Sequence, residues 1–428
     1  MVIKYYNTTI AAKTSFYSKF IEAFEGAEIM TGSFIPYGAY WCSPFARWQG
    51  SLGHLPSVEF AAHITRESLA SRGIETEVFD SGVLGMTVPQ QFSFYGLPWL
   101  AGMVGADRIG GPTISQACAT SARVLSVATQ EISTGSASCV LTVTTDRLSN
   151  GPHLYYPRPG APGGIGAHED WVPDNMGWDP YTRGDMTQTA ENCASKWNVT
   201  TADQHEVVLR RLEQYNDALA DDSAFLKRFM TLPFDVPDAR FRKTVSTMNG
   251  DEGIFQSTAE GLAKLRTVKE GGTITFGGQT HPADGTAGMV VTTEEKAKEL
   301  SADPAITIKV VSFGQARVEK SFMPAATIPA SMQALEGAGI GIGDLAAIKS
   351  HNPFAVNDIV FAQETGADLM SMNNYGSSLI WGHPQGPTGM RAIIELIEEL
   401  TLLGGGWGLF QGCAAGDTSM ATVIKVEG

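Results

Sequence analysis

The clearest pattern in the chain runs from Gly111 to Gly135. Thr113 and Ile114 are β-branched and read as the end of a strand. Val124, Leu125, Ala128 and Ile132 then recur at three- and four-residue spacing, which predicts a helix beginning near Cys118, with Gly135 as its stop. A continuous apolar stretch, Cys139 to Thr145, reads as a buried strand. Val58 to Arg72 is helical, and Val78 to Val88 reads as a strand and turn. Ahead of these, Phe16, Phe20, Ile21 and Phe24 suggest a short amphipathic helix.

The second half echoes this order. Glu294 to Leu300 reads as a helix and Ile306 to Phe313 as a strand, and helix, strand, helix, strand are expected from there to the end. Within that run Thr388 to Leu403 is a helix, Gly404-Gly405-Gly406 breaks it, and Trp407 to Phe410 is a strand. Alternating helices and strands in both halves indicate an α/β fold.

Between the halves, from Asp146 to about Pro282, the character changes. Pro157 to Gly164 is turn-rich and is not expected to form a regular element. Trp171, Met176, Trp178 and Tyr181 follow, dense in large apolar groups for a loop. Two helices come next: one opens at Met186 and continues through Ala194 and Trp197, and the other runs from Thr201 to Tyr215 with Thr201 as its cap. Basic residues cluster at Arg240, Arg242 and Lys243.

Composition narrows the chemistry. The 428 residues are 43% hydrophobic and 18% charged, with a net charge of -15. Such an acidic chain is a poor partner for nucleic acid, and any bound polyanion needs a local basic patch. Five cysteines without metal-type CxxC spacing suggest free thiols in a reducing compartment, and no metal site is expected. The N-terminus lacks a signal-peptide core, and no run approaches the ~20 apolar residues of a membrane span. A cytoplasmic enzyme is the expectation.

The turn before the first helix places the Cys118 thiol among unpaired backbone N–H groups at a positive helix end, which favour thiolate and hold an oxyanion. Three further blocks accompany it: His351-Asn352-Pro353-Phe354; Asn373 to Gly389, which contains Gly382-His383-Pro384-Gln385-Gly386-Pro387-Thr388-Gly389; and Gln411-Gly412-Cys413-Ala414-Ala415-Gly416-Asp417. In this set and this order the chain resembles the thiolases over nearly its whole length. Ser43 to Leu52 is similar to a further stretch of that family, with Cys42 in place of an arginine. Leu148 to Pro152 and Asp284-Gly285 resemble the family's entry to and exit from its loop domain.

The resemblance implies a fold of two similar halves. Each carries a mostly parallel five-stranded sheet, layered α-β-α-β-α overall, with a loop or lid domain added. The halves would be residues 1–147 with 283–303, and 304–428, with the lid at 148–282. It implies an acyltransferase that cleaves a 3-oxoacyl-CoA with coenzyme A as co-substrate and no permanently bound cofactor. Cys118 would carry the acyl group as a thioester, His383 would deprotonate it, and Cys413 would handle the proton at the substrate's α-carbon. The backbone N–H groups of Cys118 and Ala415 would form one oxyanion site. His351 would line the other, as the histidine does in the sterol-carrier-protein-type thiolases, whose His-Asp-Cys-Phe block is similar to His351–Phe354. Thr280 and Phe354 resemble pantetheine-contacting positions. The family's adenine-side arginine has no counterpart between Asp251 and Ala263, and Arg240 and Arg242 are substitutes by charge only.

Two departures stand out. Ala415 and Asp417 replace glycines of the family's last block, and an acid there repels a forming enolate unless it is turned away or paired. The lid aromatics either pack the lid down or line a bulky acyl pocket. The second case points to divergent thiolases acting on aromatic esters such as benzoylsuccinyl-CoA, with Arg158 or Arg183 pairing a substrate carboxylate. Family habit implies a homodimer or dimer of dimers, and some divergent relatives work beside a small zinc-binding OB-fold companion. Three rival readings remain: the condensing direction of the same reaction, a β-ketoacyl-synthase-like enzyme, and a silent thiolase-like scaffold. Cys413 argues against the synthase, which has no use for an acid–base cysteine.

Overall fold

The computed structural model describes residues 32–428. The amphipathic helix expected around Phe16 to Phe24 lies outside them. Nine strands form the path of the main sheet. They are β1 (Ser33–Phe34), β2 (Ser81–Gly85), β3 (Thr113–Ile114), β4 (Cys139–Arg147), β5 (Ala283–Thr292), β6 (Thr307–Arg317), β7 (Leu345–His351), β8 (Gly405–Ala414) and β9 (Thr418–Glu427). Their spatial order is β7-β8-β9-β6-β1-β5-β4-β2-β3, and the short strands Tyr40–Cys42 and Ala46–Arg47 add to β5.

The sheet is α/β as expected, and its pairing differs between flank and middle. On the two flanks β2 runs parallel to β3 and β4, and β7 runs parallel to β8. Toward the middle the neighbours are antiparallel: β4 with β5, β1 with both β5 and β6, β6 with β9, and β8 with β9. The cause is local in the last case. The reversal at Ala415 to Asp417, with φ +80° at Gly416 and +58° at Asp417, folds β9 straight back on β8. The C-terminal order is therefore helix, strand, three helices, strand, strand, the middle helix being the short Ser378–Trp381. The hairpin and two of the helices were not separated by the sequence pattern.

Eight helices matter to the site: α1 (Ser57–Ser71), α2 (Gly96–Val104), α3 (Thr120–Ser133), α4 (Met186–Lys196), α5 (Thr201–Ala218), α6 (Thr327–Ala338), α7 (Ala355–Thr365) and α8 (Gln385–Leu402). Helices α3 and α8 pack on each other and against strands of both halves. Helices α1 and α2 cover the outer face of the β2–β4–β5 region, and α6 covers β6, β8 and β9. This is the expected five-layer α-β-α-β-α arrangement, with α3 and α8 as its central layer. The close fit of α3 on β2 needs Gly85, because a Cβ there would stand 2.7 Å from side-chain atoms of Thr120 and Val124.

A helix buried on all sides is normally apolar throughout. Helix α8 is instead buried from Gly386 to Leu400 and carries Arg391, Glu395, Glu398 and Glu399 inside. Each has a polar partner, although Glu399 keeps one buried oxygen without any. Arg391 takes Asp251 in a two-pronged pair at 2.7 and 2.8 Å and Glu395 at 2.9 Å. Lys349 meets Glu395 at 3.2 Å, Tyr40 donates to Glu398 at 2.6 Å, and Asn374 donates to Glu399 at 2.7 Å. The Arg391 guanidinium also lies 4.3 Å over the Trp381 ring and 4.9 Å over Phe45. Residues from the middle of the chain thus reach the central layer, and Arg391 is the shared anchor.

In that middle segment the helix expected from Thr201 starts there, but its cap is Thr200. The Thr200 hydroxyl accepts from the N–H of Asp203, and the Asp203 carboxylate takes the Thr200 N–H in return. Helices α4 and α5 pack against α7. The turn-rich stretch from Pro157 is flanked by a two-stranded hairpin, His153–Tyr156 with Ala167–Asp170. Among the described residues no helix is long and apolar enough to cross a membrane.

Candidate active site

Cys118 stands on a sharp turn between β3 and α3. Ala117 takes a positive φ of 44°, which throws the next side chain clear of the strand line. The Thr120 hydroxyl knits the turn: it accepts the Gln116 N–H at 2.8 Å and donates to Ala117 O at 2.7 Å. The helix begins at Thr120, two residues past the thiol.

His383 reaches the same point from the other half. Gly382, at φ +93°, lets the chain pass close to His281 and Ala283, where a Cβ would stand 2.7 Å from His281 Nε2. The His383 N–H donates to His281 O at 2.9 Å. Pro384 then leads into α8. The His383 Nε2 lies 3.1 Å from Cys118 Sγ. Its Nδ1 lies 2.7 Å from the Thr388 hydroxyl, which itself donates to Pro384 O at 2.7 Å. That hydroxyl therefore accepts, the proton sits on Nδ1, and the Nε2 lone pair faces the thiol. Asp146 holds the turn from below: its buried carboxylate accepts the N–H groups of Gly386 at 2.6 Å, Thr87 at 2.8 Å and Val88 at 2.9 Å. Burial outweighs these donors and lifts the Asp146 carboxyl to about 6.

Both partners of the pair are neutral at rest. Burial pushes the Cys118 thiol up to about 12, although the backbone N–H groups of Ala415 and of Cys118 itself point at the sulfur and oppose the shift. Burial, helped by nearby His281, pulls the His383 imidazole down to about 3. The two N–H groups expected to form an oxyanion site therefore converge on the sulfur.

His351 and Cys413 end adjacent parallel strands, with His351 in register with Gly412. The His351 ring is buried, and burial, then the neighbouring His383, holds its imidazole well below the usual range. The Ser378 hydroxyl is 2.9 Å from its Nδ1 and 3.1 Å from Asn352 Oδ1. Asn352 Oδ1 already takes the Leu379 N–H at 3.1 Å. The hydroxyl accepts the Asn352 N–H at 3.1 Å and donates to that Oδ1, and the His351 Nε2 is a buried atom with no partner. Cys118 Sγ and one ring nitrogen from each of His351 and His383 lie within 4.8 Å of one another. This group holds no carboxylate.

Burial, then the charge of Cys118, pushes the Cys413 thiol well above its ordinary value, and the Asn357 amide donates to its sulfur at 3.2 Å. Asp417 is turned out of the site. Its carboxylate accepts the N–H groups of Ser321 at 3.0 Å and Phe322 at 3.1 Å, so it is paired away from the sulfurs. Thr280 and Phe354 come together as expected: the Thr280 N–H donates to Pro353 O at 2.7 Å, its hydroxyl donates to Ser378 O, and Gln279 bridges Phe354.

Arg240 and Arg242 are not brought to this point. Their N–H groups fold onto Asp238, at 3.3 and 2.9 Å, on an exposed turn. Arg242 lines a separate cleft with His63, Arg72, Phe229 and Lys243, whose walls include none of Cys118, His351, His383 and Cys413. The lid aromatics divide. Trp171 packs with Val88 and Leu148 and donates its indole N–H to Thr87 O at 3.0 Å, so it holds the segment down. Met176 sulfur accepts from Gln385 at 3.5 Å, next to the His383 turn. Trp178 and Tyr181 stand 55% and 58% exposed, with Lys320 over the Tyr181 ring at 4.0 Å.

Sequence reasoning missed Thr388, Ser378, Asn357 and the anchoring role of Asp146. Thr388, five residues after His383, and Ser378, five after Asn373, lie inside blocks already singled out, and that placement was the available signal.

Comparison with known proteins agrees with this geometry. Residues 41–295 match the thiolase N-terminal domain family and residues 305–426 the thiolase C-terminal domain family. An acetyl-CoA acetyltransferase of Paracoccus denitrificans is 27% identical over 90% of this chain and 97% of its own. A beta-ketothiolase of Cupriavidus necator is 27% identical over 88% and 95%. Among solved structures, the Bacillus anthracis acetyl-CoA acetyltransferase superposes with a TM-score of 0.85 at 26% identity, covering 94% of this chain and 100% of that one. Human mitochondrial 3-ketoacyl-CoA thiolase in complex with CoA shares the fold, with a TM-score of 0.82 over 93% and 98% at 24% identity. With family matches over both halves and the paired cysteines and histidines gathered at their junction, the chain belongs to the thiolase family, and it is an acyltransferase.

Proposed function

We propose that the protein cleaves a 3-oxoacyl-CoA with coenzyme A through an acyl-Cys118 thioester. The observation that carries this reading is the 3.1 Å contact between Cys118 Sγ and the unprotonated Nε2 of His383, with the Ala415 N–H aimed at the same sulfur. His383 takes the thiol proton as the sulfur attacks the 3-oxo carbon, and the Cys118 and Ala415 N–H groups take the developing oxyanion. The bond between C2 and C3 breaks, its electron pair leaves with C2 as an enolate, and Cys413 supplies the proton that quenches it. His351, in the form that carries its proton on Nε2, steadies the thioester oxygen of the leaving acyl-CoA. Coenzyme A then gives its thiol proton to the Cys413 thiolate and attacks the acyl group, and Cys118 leaves and recovers the proton from His383.

On this reading residues 148–282 are the lid, between the halves 1–147 with 283–303 and 304–428. Pantetheine passes Thr280 and Phe354. Lys264 and Arg266 are exposed on the turn whose Leu262 and Leu265 pack at Gly277, three residues before Thr280. They suit the CoA phosphates better than Arg240 and Arg242 do. Met176 beside Gln385, with exposed Trp178 and Tyr181 following, supports a bulky acyl group and the degradative direction.

Mass spectrometry after mixing with acetyl-CoA tests the core of this reading, which expects an acetyl group on Cys118. A comparison of kcat/KM for acetoacetyl-CoA and an aromatic 3-oxoacyl-CoA tests the acyl preference. An advantage of about tenfold or more for acetoacetyl-CoA, some 1.4 kcal/mol in transition-state binding, overturns the bulky-substrate part and leaves the lid aromatics as packing.

A further inference from the structure

Cys413 lies in an apolar cluster with Phe354, Val356, Leu379 and Met323. The titratable groups that act on its sulfur are the Cys118 and Cys193 thiols, and the hydrogen bond from Asn357 Nδ2 is its side-chain partner, at 3.2 Å. Asn357 sits in the first turn of α7 and is fully buried, and its Oδ1 has no partner at all. A buried amide oxygen left unpaired costs about 1–3 kcal/mol, so an orientation that leaves it so needs a use. The amide has two ends of opposite character. Its N–H donates to a thiolate; turned over about the Cβ–Cγ bond, its oxygen accepts from a thiol S–H.

We propose that Asn357 sets the proton affinity of Cys413, its amide donating to the thiolate and, turned over, accepting from the thiol, so that the sulfur keeps a hydrogen bond in both states of α-proton transfer. The step served is balanced within the site. The Cys413 thiolate takes a proton from the α-carbon of an acyl-CoA, the C–H electron pair becomes the enolate, and the S–H formed exchanges with solvent before the proton returns. Burial, then Cys118 and Cys193, raise the cost of the thiolate, and the Asn357 N–H offsets part of it. The inference rests on the role proposed above for Cys413.

The test follows exchange of the α-protons of acetyl-CoA in deuterium oxide across a pH series, in the intact protein and in Asn357→Leu, Asn357→Asp and Cys413→Ala. Leu fills the space without a donor; Asp keeps the shape and places a second negative charge beside the sulfur. In both Asn357 variants the pH midpoint of exchange is expected to move up by about one unit or more, a tenfold slower rate below it, with Asp the larger effect. A purely structural role lowers exchange equally at every pH and leaves the midpoint in place, and that result overturns the proposal in whichever variant folds. Acylation of Cys118, a step that does not use Cys413, reports that the site is assembled. Exchange that persists in Cys413→Ala overturns the role of Cys413 itself. Exchange lost in Cys413→Ala, with an unshifted midpoint in both Asn357 variants, overturns the role of Asn357 alone.

Discussion

The ring of His351 lies stacked on that of His383, with 4.0 Å between centroids and 25° between planes. Each ring has its Nδ1 tied to a hydroxyl, Ser378 for one and Thr388 for the other. The Thr388 hydroxyl accepts and leaves a bare nitrogen toward Cys118, whereas the Ser378 hydroxyl is shared between the His351 ring and Asn352 Oδ1. Burial keeps both stacked rings uncharged.

This arrangement sets what loss of His351 does. His351→Ala removes the proposed oxyanion group and is expected to lower kcat by on the order of 10²–10³, with the thermal transition little changed. Ser378→Ala removes the hydroxyl shared by the His351 ring and Asn352, and the loss is expected to be about tenfold. Steady-state rates beside circular-dichroism melts check both. A fully active His351→Ala shows the ring to be structural.

Cys118→Ala is expected to abolish acyl-enzyme formation and turnover together, because Cys118 is the sulfur that His383 is placed to deprotonate, and the acyl group of the acyl-CoA has to be carried there. Intact-mass measurement after incubation with acyl-CoA decides it. An acyl adduct surviving on the variant, with turnover above background, refutes the assignment.

The neutral resting pair has a pH signature. The thiol is raised to about 12 and the imidazole lowered to about 3, so neither changes charge in the resting enzyme between those values. Single-turnover acylation of Cys118 is expected to stay flat from about pH 6 to about pH 9, where an ordinary imidazole titrates near 6.5. A rise of about tenfold across that window would mean a charged histidine or a resting thiolate instead.

Asp251→Ala leaves the Arg391 guanidinium buried with Glu395 as its remaining partner and breaks the tie from Tyr215, whose hydroxyl donates to Asp251 at 2.9 Å. Breaking a buried pair by removing one partner costs about 3–5 kcal/mol. Chemical denaturation checks the loss. Trp381 stacks on Arg391 two residues before His383, so acylation is expected to slow as well. A change under about 1 kcal/mol refutes the anchoring role.

The two cysteines and two histidines were legible because each lies where a glycine-marked turn meets a strand or helix end, a feature that short-range spacing records. Helix α3 and strand β4 were legible for the same reason, their apolar periods being unbroken. The partners of the catalytic groups were not. Ser378, Thr388 and Asn357 are ordinary small polar residues at helix starts, and only tertiary contact gives them meaning: Asn357 lies 56 residues from Cys413 and Ser378 lies 27 from His351. Charge alone did not locate Arg240 and Arg242, since a basic cluster says nothing of where its turn is folded. The β8–β9 hairpin was hidden because Ala415 to Asp417 reads as an altered glycine loop, and its reversal depends on backbone angles that composition does not reveal.

Asp417 bears on how that loop works. Glycines at such a bend supply freedom; this acid removes it, hooking the bend to the N–H groups of Ser321 and Phe322. The Ala415 N–H aimed at Cys118 is two residues from the hook, so the reach of that donor is governed from a remote strap of chain outside the pocket. The pocket borrows its rigidity, and loss of the Asp417 carboxylate, which never meets substrate, is expected to register in the speed of acyl transfer.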